Sequence, residues 1–228
     1  MIDLPSNPRY ERKFVVDGIA LPEVLAVVRR HPAAFREVYP GRWVNNIYLD
    51  SPDWSNYHDH VNGVSHRTKT RLRWYGTWSE SGVSPTLERK LKNGLLSGKL
   101  SFSLPRFPTG RIVSRFALET VFDQANLPEI MRLALRHLLP ALFNRYHRHY
   151  FESADHRFRL TVDSNLHFAA AHQADGRCAS FCDRASIIVV ELKFGLSEAD
   201  DAARITNSIP FRLARCSKYI LGVNALAA

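Results

Sequence analysis

Cysteine is scarce in this chain, and the three present, Cys178, Cys182 and Cys216, are an odd number that suits a reducing compartment better than a disulfide framework. No uncharged apolar run approaches the roughly 20 residues that span a bilayer. Met1 to Arg12 carries Pro5, Pro8 and Glu11 where a secretory leader needs an apolar core. These absences predict a soluble, cytoplasmic protein without membrane insertion. Gly/Ser linkers, low-complexity tracts and repeats of solenoid period are missing as well, so residues 1–228 read as one domain. Acids are the last shortage: 22 Asp and Glu stand against 31 Lys and Arg, a net charge of +9. That excess favours a polyanion, which could be nucleic acid, a phosphate-rich small molecule, a phosphate polymer or an anionic membrane surface.

Strand alternation is what the chain has in quantity. Arg67, Lys69, Arg71 and Arg73 stand at every second position, so a strand over Ser65 to Tyr75 projects four cations from one face and Thr68, Thr70, Leu72 and Trp74 from the other. A solvated edge strand also carries charge in this way, but the pattern repeats elsewhere. Arg9 to Val16 alternates, as do Thr86 to Lys92, Lys99 to Leu104 beyond the Asn93-Gly94 turn, Leu142 to Phe151, Arg157 to Asp163 and Ser186 to Phe194; Arg42 to Asp50 reads as a strand from its β-formers Trp43, Val44, Ile47, Tyr48 and Leu49, and Asn165 to Ala170 as a further short one. Helices are predicted over Pro22 to Arg30, over 112–139 in two pieces broken near Pro128, and at the end from Ser217 to Ala225.

About eight strands joined through turns suggest an antiparallel sheet, and closure into a barrel removes its edges. The predicted fold is α+β: a closed eight-stranded antiparallel barrel, helices packed outside it and a C-terminal helix at one end. If helices cover the apolar faces, the polar faces line the lumen. Gathered there are Arg9, Lys13, Lys69, Arg71, Arg73, Lys90, Lys92, Lys99, Arg145, Arg159 and Lys193, against Glu11, Glu88, Asp163 and Glu191. Enclosing unpaired charge costs several kcal/mol per ion, so the interior must be wide, wet and occupied by an anion of high charge density. A polyphosphate chain or a nucleoside triphosphate meets that requirement. A hard divalent ion bridging phosphates needs one or two carboxylates, for which Glu191 stands first and Glu11 second; an internal ion pair is the plainer role of each. Cys178, Cys182 and His172 are too loosely spaced, and lack a fourth ligand, for a zinc site.

Seven segments occur in the order characteristic of the VTC domain: Tyr10-Glu11-Arg12-Lys13-Phe14, Arg71-Leu72-Arg73-Trp74-Tyr75-Gly76, Glu88-Arg89-Lys90, Asn144-Arg145, Arg157-Phe158-Arg159, Glu191-Leu192-Lys193 and Ser217-Lys218-Tyr219. Nearly the whole chain resembles a stand-alone, bacterial-type VTC domain of the CYTH-like triphosphate tunnel metalloenzymes. The resemblance implies a polyphosphate polymerase that moves the γ-phosphate of ATP onto a growing inorganic polyphosphate, with Mn2+ or Mg2+. It implies tunnel cations at Lys13, Arg71, Arg73, Lys90, Lys99, Arg145 and Arg159, a metal ligand at Glu191, and Arg215 and Lys218 on the helix closing one tunnel end. Lys69, Glu88 and Lys193 complete the expected substrate-binding wall, and Glu11 the metal-binding pair. The superfamily's Glu-x-Glu-x-Lys signature reads Arg9-x-Glu11-x-Lys13 here, removing a ligand for a second metal.

Two alternatives stand beside that reading. One is a triphosphatase or tripolyphosphatase of the same fold, with water as acceptor; the other is a non-catalytic module that binds polyphosphate or inositol phosphates. Specific nucleic-acid binding is not expected, because the aromatics fall mostly on apolar faces instead of interleaving with exposed cations. His58, His60, His147 and His149 receive no role. Protein partners are not legible.

Overall fold

The structure is a computed structural model and describes residues 9–76, 82–94, 96–106, 115–171, 182–184 and 186–227. Its strands are β1 (Tyr10–Val16), β2 (Arg36–Asp50), β3 (His66–Tyr75), β4 (Thr86–Asn93), β5 (Leu96–Ser103), β6 (Leu139–Glu152), β7 (Phe158–Ala170), β8 (Cys182–Arg184) and β9 (Ile188–Phe194). The helices are α1 (Leu21–Arg30), α2 (Ser55–Val61), α3 (Arg115–Gln124), α4 (Glu129–Leu135), α5 (Asp201–Asn207) and α6 (Lys218–Ala227). The short strand expected at Asn165 is the second half of β7. α2 was not expected. Cys178 and His172 lie outside the described residues.

All pairings are antiparallel, in the order β1-β9-β7-β6-β2-β3-β4-β5, with β8 added to β7. The expected closed eight-stranded barrel is corrected here: among the described residues no ladder joins β1 to β5. The reason lies at the free edge of β1. The stretch before α6 occupies it, with Val15 N–H donating to the Arg212 carbonyl at 3.3 Å and Ala214 N–H to that of Lys13 at 2.8 Å. An edge strand's unpaired amides need partners, and the returning chain supplies them instead of β5.

Alternation gives the curled sheet two faces. On its convex face, Phe14, Val16, Leu160, Val162, Val190 and Leu192 pack with Val24, Leu25 and Val28 of α1 and Ala202 and Ile205 of α5. Pro22 and Glu23 begin α1 as a first turn should, the Glu23 carboxylate accepting the Ala20 N–H at 3.3 Å. A second convex cluster joins Ile47, Leu49, Leu72, Trp74 and Leu87 to Leu118 and Val121 of α3 and Met131 and Leu135 of α4. Pro128 stands at the start of α4 and accounts for the break.

The third cluster lies on the concave face. Val44, Tyr48, Leu142, Phe168 and Val189 surround Tyr219 of α6, with Ile220, Leu221 and Val223 packed against them. Tyr219 donates its hydroxyl proton to Asp50, which also accepts the backbone N–H of Asn56 and Tyr57 at the start of α2. Gly222 approaches Phe168 and Leu142 so closely that a Cβ there would overlap both. α6 thus fills one part of the concave face with apolar side chains, and the charged residues have the remainder.

Candidate functional site

That remainder is a cavity of about 1110 Å³. It is walled by Arg9, Glu11 and Lys13 of β1 and its approach, Lys69, Arg71 and Arg73 of β3, Glu88, Lys90 and Lys92 of β4, Lys99 of β5, and Glu191 and Lys193 of β9. Arg67, Arg215 and Lys218 line it too, with Ser217 and Cys216 between the last two. The period of two in five strands turns these side chains toward one space.

Within the wall, Glu88 orders the arginines. Arg71 donates from Nε at 2.8 Å and approaches with Nη2 at 2.7 Å, Lys99 donates at 2.9 Å, and Arg73 stands 3.7 Å away. Burial would raise the Glu88 pKa, but Arg71, Arg73 and Lys99 outweigh it and hold the carboxyl well below the ordinary range. Arg73 is fixed again by Asn46 at 2.8 Å and the Tyr146 hydroxyl at 3.1 Å. Glu88, expected to contact substrate, lines the cavity and is paired there with Arg71 and Lys99. Across the lumen Lys90 of β4 bonds both oxygens of Glu11 on β1, at 2.8 and 2.9 Å.

Glu191 is differently placed. It is buried, and its neighbours Lys193, Lys13 and Arg148 stand at 3.7, 3.9 and 3.9 Å, beyond hydrogen-bond range. Burial again opposes its ionisation, and Lys13, Lys193 and Arg148 together keep the carboxyl well below the ordinary range. It is therefore an ionised oxygen donor without a hydrogen-bond donor among the described residues. Lys13 lies 3.9 Å from Glu11 as well, between the two acids. No group of three acids, histidines or cysteines gathers among the described residues. The donor set fits a hard divalent ion held by one or two carboxylates, with waters and phosphate oxygens for the other positions, and does not fit zinc.

Two expected tunnel residues are placed elsewhere. Arg145 lies on the opposite face of β6 from Tyr146 and Arg148, its guanidinium 4.0 Å from the Trp43 ring centroid. Both faces of β6 carry arginine, so charge alone did not choose between them. Arg159 shares the Asp163 face of β7 but sits at its open end, 61% exposed and 3.3 Å from Glu152. Lys218 reaches the cavity but is held by Asp163 at 2.5 Å.

Sequence reasoning missed Arg148, Tyr48 and Tyr146. Arg148 forms a two-pronged bond to Asp163 at 2.5 and 2.7 Å, and Asp163 is fully buried. Burial would raise that carboxyl, but Arg148 and Lys218 bring it down to about 2. The available signal was parity: Tyr146 and Arg148 alternate with Arg145 and His147, and the register break between Arg145 and His147 lies at that point.

The family model described as VTC domain matches residues 8–227. None of the curated proteins matches this chain in sequence. Among solved structures, a candidate adenylyl cyclase from Hippeastrum with a dominant triphosphatase activity has a TM-score of 0.54 and 10% identity, over 96% of this chain and 95% of that one. A candidate adenylate cyclase from Vibrio parahaemolyticus has a TM-score of 0.51 and 10% identity, over 96% of this chain and 98% of the other. At such identity the likeness is one of fold.

Proposed function

This chain belongs to the VTC domain family, and from that premise we propose that it is a polyphosphate polymerase, transferring the γ-phosphate of ATP to the end of an inorganic polyphosphate chain. The observation that carries the reading is the use made of the acids. Glu88, Glu11 and Asp163 are each in an ion pair at 2.8 Å or closer, whereas the nearest cation to Glu191 among the described residues stands at 3.7 Å. A hydrolase needs water positioned and activated, by a base or by the metal itself, and with Glu191 given to the metal no carboxylate of the wall among the described residues is left free to serve as that base. A terminal phosphate is already anionic, and its transfer needs alignment and neutralisation of charge, which cations supply.

In this mechanism Arg71 and Arg73 hold the oxygens of the transferring group, fixed in advance by Glu88, Asn46 and Tyr146. Lys13, Lys90 and Lys99 neutralise the flanking phosphates, with Lys69, Lys92 and Lys193 along the wall and Arg215 at the rim. Glu191 would hold Mn2+ or Mg2+, with Glu11 joining it on release from Lys90, and the ion would supply charge neutralisation at phosphate oxygens. A terminal oxygen of the polymer forms the new bond to the γ-phosphorus as the β–γ bond breaks, and ADP leaves with the bonding electrons. Incubation with ATP and Mn2+, with products resolved by gel electrophoresis, tests the proposal: a polyphosphate ladder with ADP supports it, and orthophosphate without chains contradicts it in favour of hydrolysis.

A further inference from the structure

Lys69 differs from the other lysines of the cavity. Lys13, Lys90, Lys99, Lys193 and Lys218 each have a carboxylate oxygen within 2.5–3.9 Å. Among the described residues Lys69 has none, and its Nζ donates instead to the Ser217 hydroxyl at 2.7 Å. Lys92 also has none, but it lies beside the turn at Gly94 on the rim.

The charged groups facing Lys69 are cations: Arg67 and Arg71 flank it on β3, Lys90 is its register partner on β4 and Lys13 acts from β1, while the uncharged imidazole of His60 faces it from α2. The segment before α6 brings Ser217, Cys216 and Arg215. Asp50, one residue past the Leu49–Thr70 pair of β2 and β3, is taken up by Ser51, Asn56, Tyr57 and Tyr219. Removing an ammonium from water without a counter-anion costs several kcal/mol. Burial, and then repulsion from Lys13 and Lys90, push the Lys69 pKa down to about 6, and partial burial followed by repulsion from the surrounding cations pushes half-buried His60 down to about 3.

We propose that Lys69 is a proton-uptake site coupled to anion binding: a neutral amine in the free cavity, it takes a proton from solvent when a phosphate polyanion enters and becomes part of the clamp. The Nζ lone pair accepts the proton, and no bond to phosphorus forms. The proposal needs only that the cavity receives a phosphate polyanion, not that transfer follows. The anion supplies the missing countercharge, so the bound-state pKa lies above the free one. Affinity then falls as pH rises between the two, by up to about tenfold per unit.

Calorimetry of tripolyphosphate binding at pH 7.5 without metal, in two buffers of different ionisation enthalpy, counts the protons. Tripolyphosphate has its own ionisation near this range, so the reading is the difference between the wild type and Lys69→Arg, whose charge is permanent. The wild type is expected to take up about one proton more; equal counts would overturn the proposal. Should Lys69→Arg fail to fold, Lys69→Met carries the same expectation. Lysine-labelled wild-type protein observed by NMR gives a second reading: an uncharged amine at pH 7.5 that becomes charged on adding tripolyphosphate supports the proposal, and an ammonium already present in the free protein overturns it. Absence of tripolyphosphate binding would overturn the cavity's assignment and the coupling together. Failure to make polymer, with proton-linked binding intact, would overturn only the polymerase reading.

Discussion

Arg148 and Asp163 face each other across β6 and β7 in a two-pronged ion pair of 2.5 and 2.7 Å, with the acid fully buried and Lys218 of α6 closing the other side at 2.5 Å. This triad joins the sheet to α6 beneath the cavity. A buried pair of this kind adds little net stability, yet removing one partner leaves an uncompensated charge. Arg148→Ala leaves Asp163 with Lys218 as its remaining countercharge and is expected to cost up to about 3 kcal/mol in urea unfolding, whereas Arg159→Ala, at an exposed pair, should cost under about 1 kcal/mol. Equal effects would contradict the placement of these two arginines.

Acid should act through the same triad. The Asp163 carboxyl is held at about 2, below its ordinary value of 3.8, so its contribution is present above the ordinary value and is lost as pH falls toward 2. The loss amounts to roughly 2 kcal/mol. Thermal unfolding across pH 5 to 2 should show a shallower decline for Asp163→Asn, which has no carboxyl to protonate.

The antiparallel sheet, though not the order of its strands, and most of the residues lining the cavity were legible in the sequence because alternation has a period of two and the cations obey it on β1, β3, β4 and β9. β6 was not, because arginines on both faces, Arg145 and Arg148, make its polarity ambiguous and a register break intervenes. Nor was the open edge. Val15 and Lys13 bond to Arg212 and Ala214, some 200 residues away in sequence, and no local pattern reports a pairing of that separation. α2 escaped notice because its first turn is capped from outside, by the Asp50 carboxylate.

Gly222 sets the seat of α6. With Phe168 and Leu142 against it, Gly222→Ala should overpack the concave face and cost about 1–3 kcal/mol. Hydrogen exchange is expected to quicken in α6 ahead of the rest of the sheet. An unchanged melting temperature and unchanged exchange would contradict the seating described.

Glu191→Gln separates metal from anion binding. Loss of the carboxylate should raise the Mn2+ concentration needed for half-maximal activity by at least about tenfold. Metal-free tripolyphosphate binding should hold or strengthen, because a negative charge has left the cavity. Titration calorimetry and metal-dependent rates check the two halves; an unaltered metal requirement would remove Glu191 from the proposed metal site.

Arg71 is expected to act on the transferring group. Arg71→Ala should lower the turnover of ATP by about 10²–10³, read as initial rates of ADP release. A rise in KM with kcat unchanged would mean that Arg71 binds ground state and transition state alike and does not act on the transferring group in particular.

Polyphosphate synthesis is tested most directly by the fate of the γ-phosphate, followed by 31P NMR in a solution of the protein, ATP and Mg2+. Growth of internal-phosphate signals beyond those of the nucleotide is expected, with matching ADP and little orthophosphate. Orthophosphate rising in step with ADP, with no internal-phosphate signal, would contradict the polymerase reading.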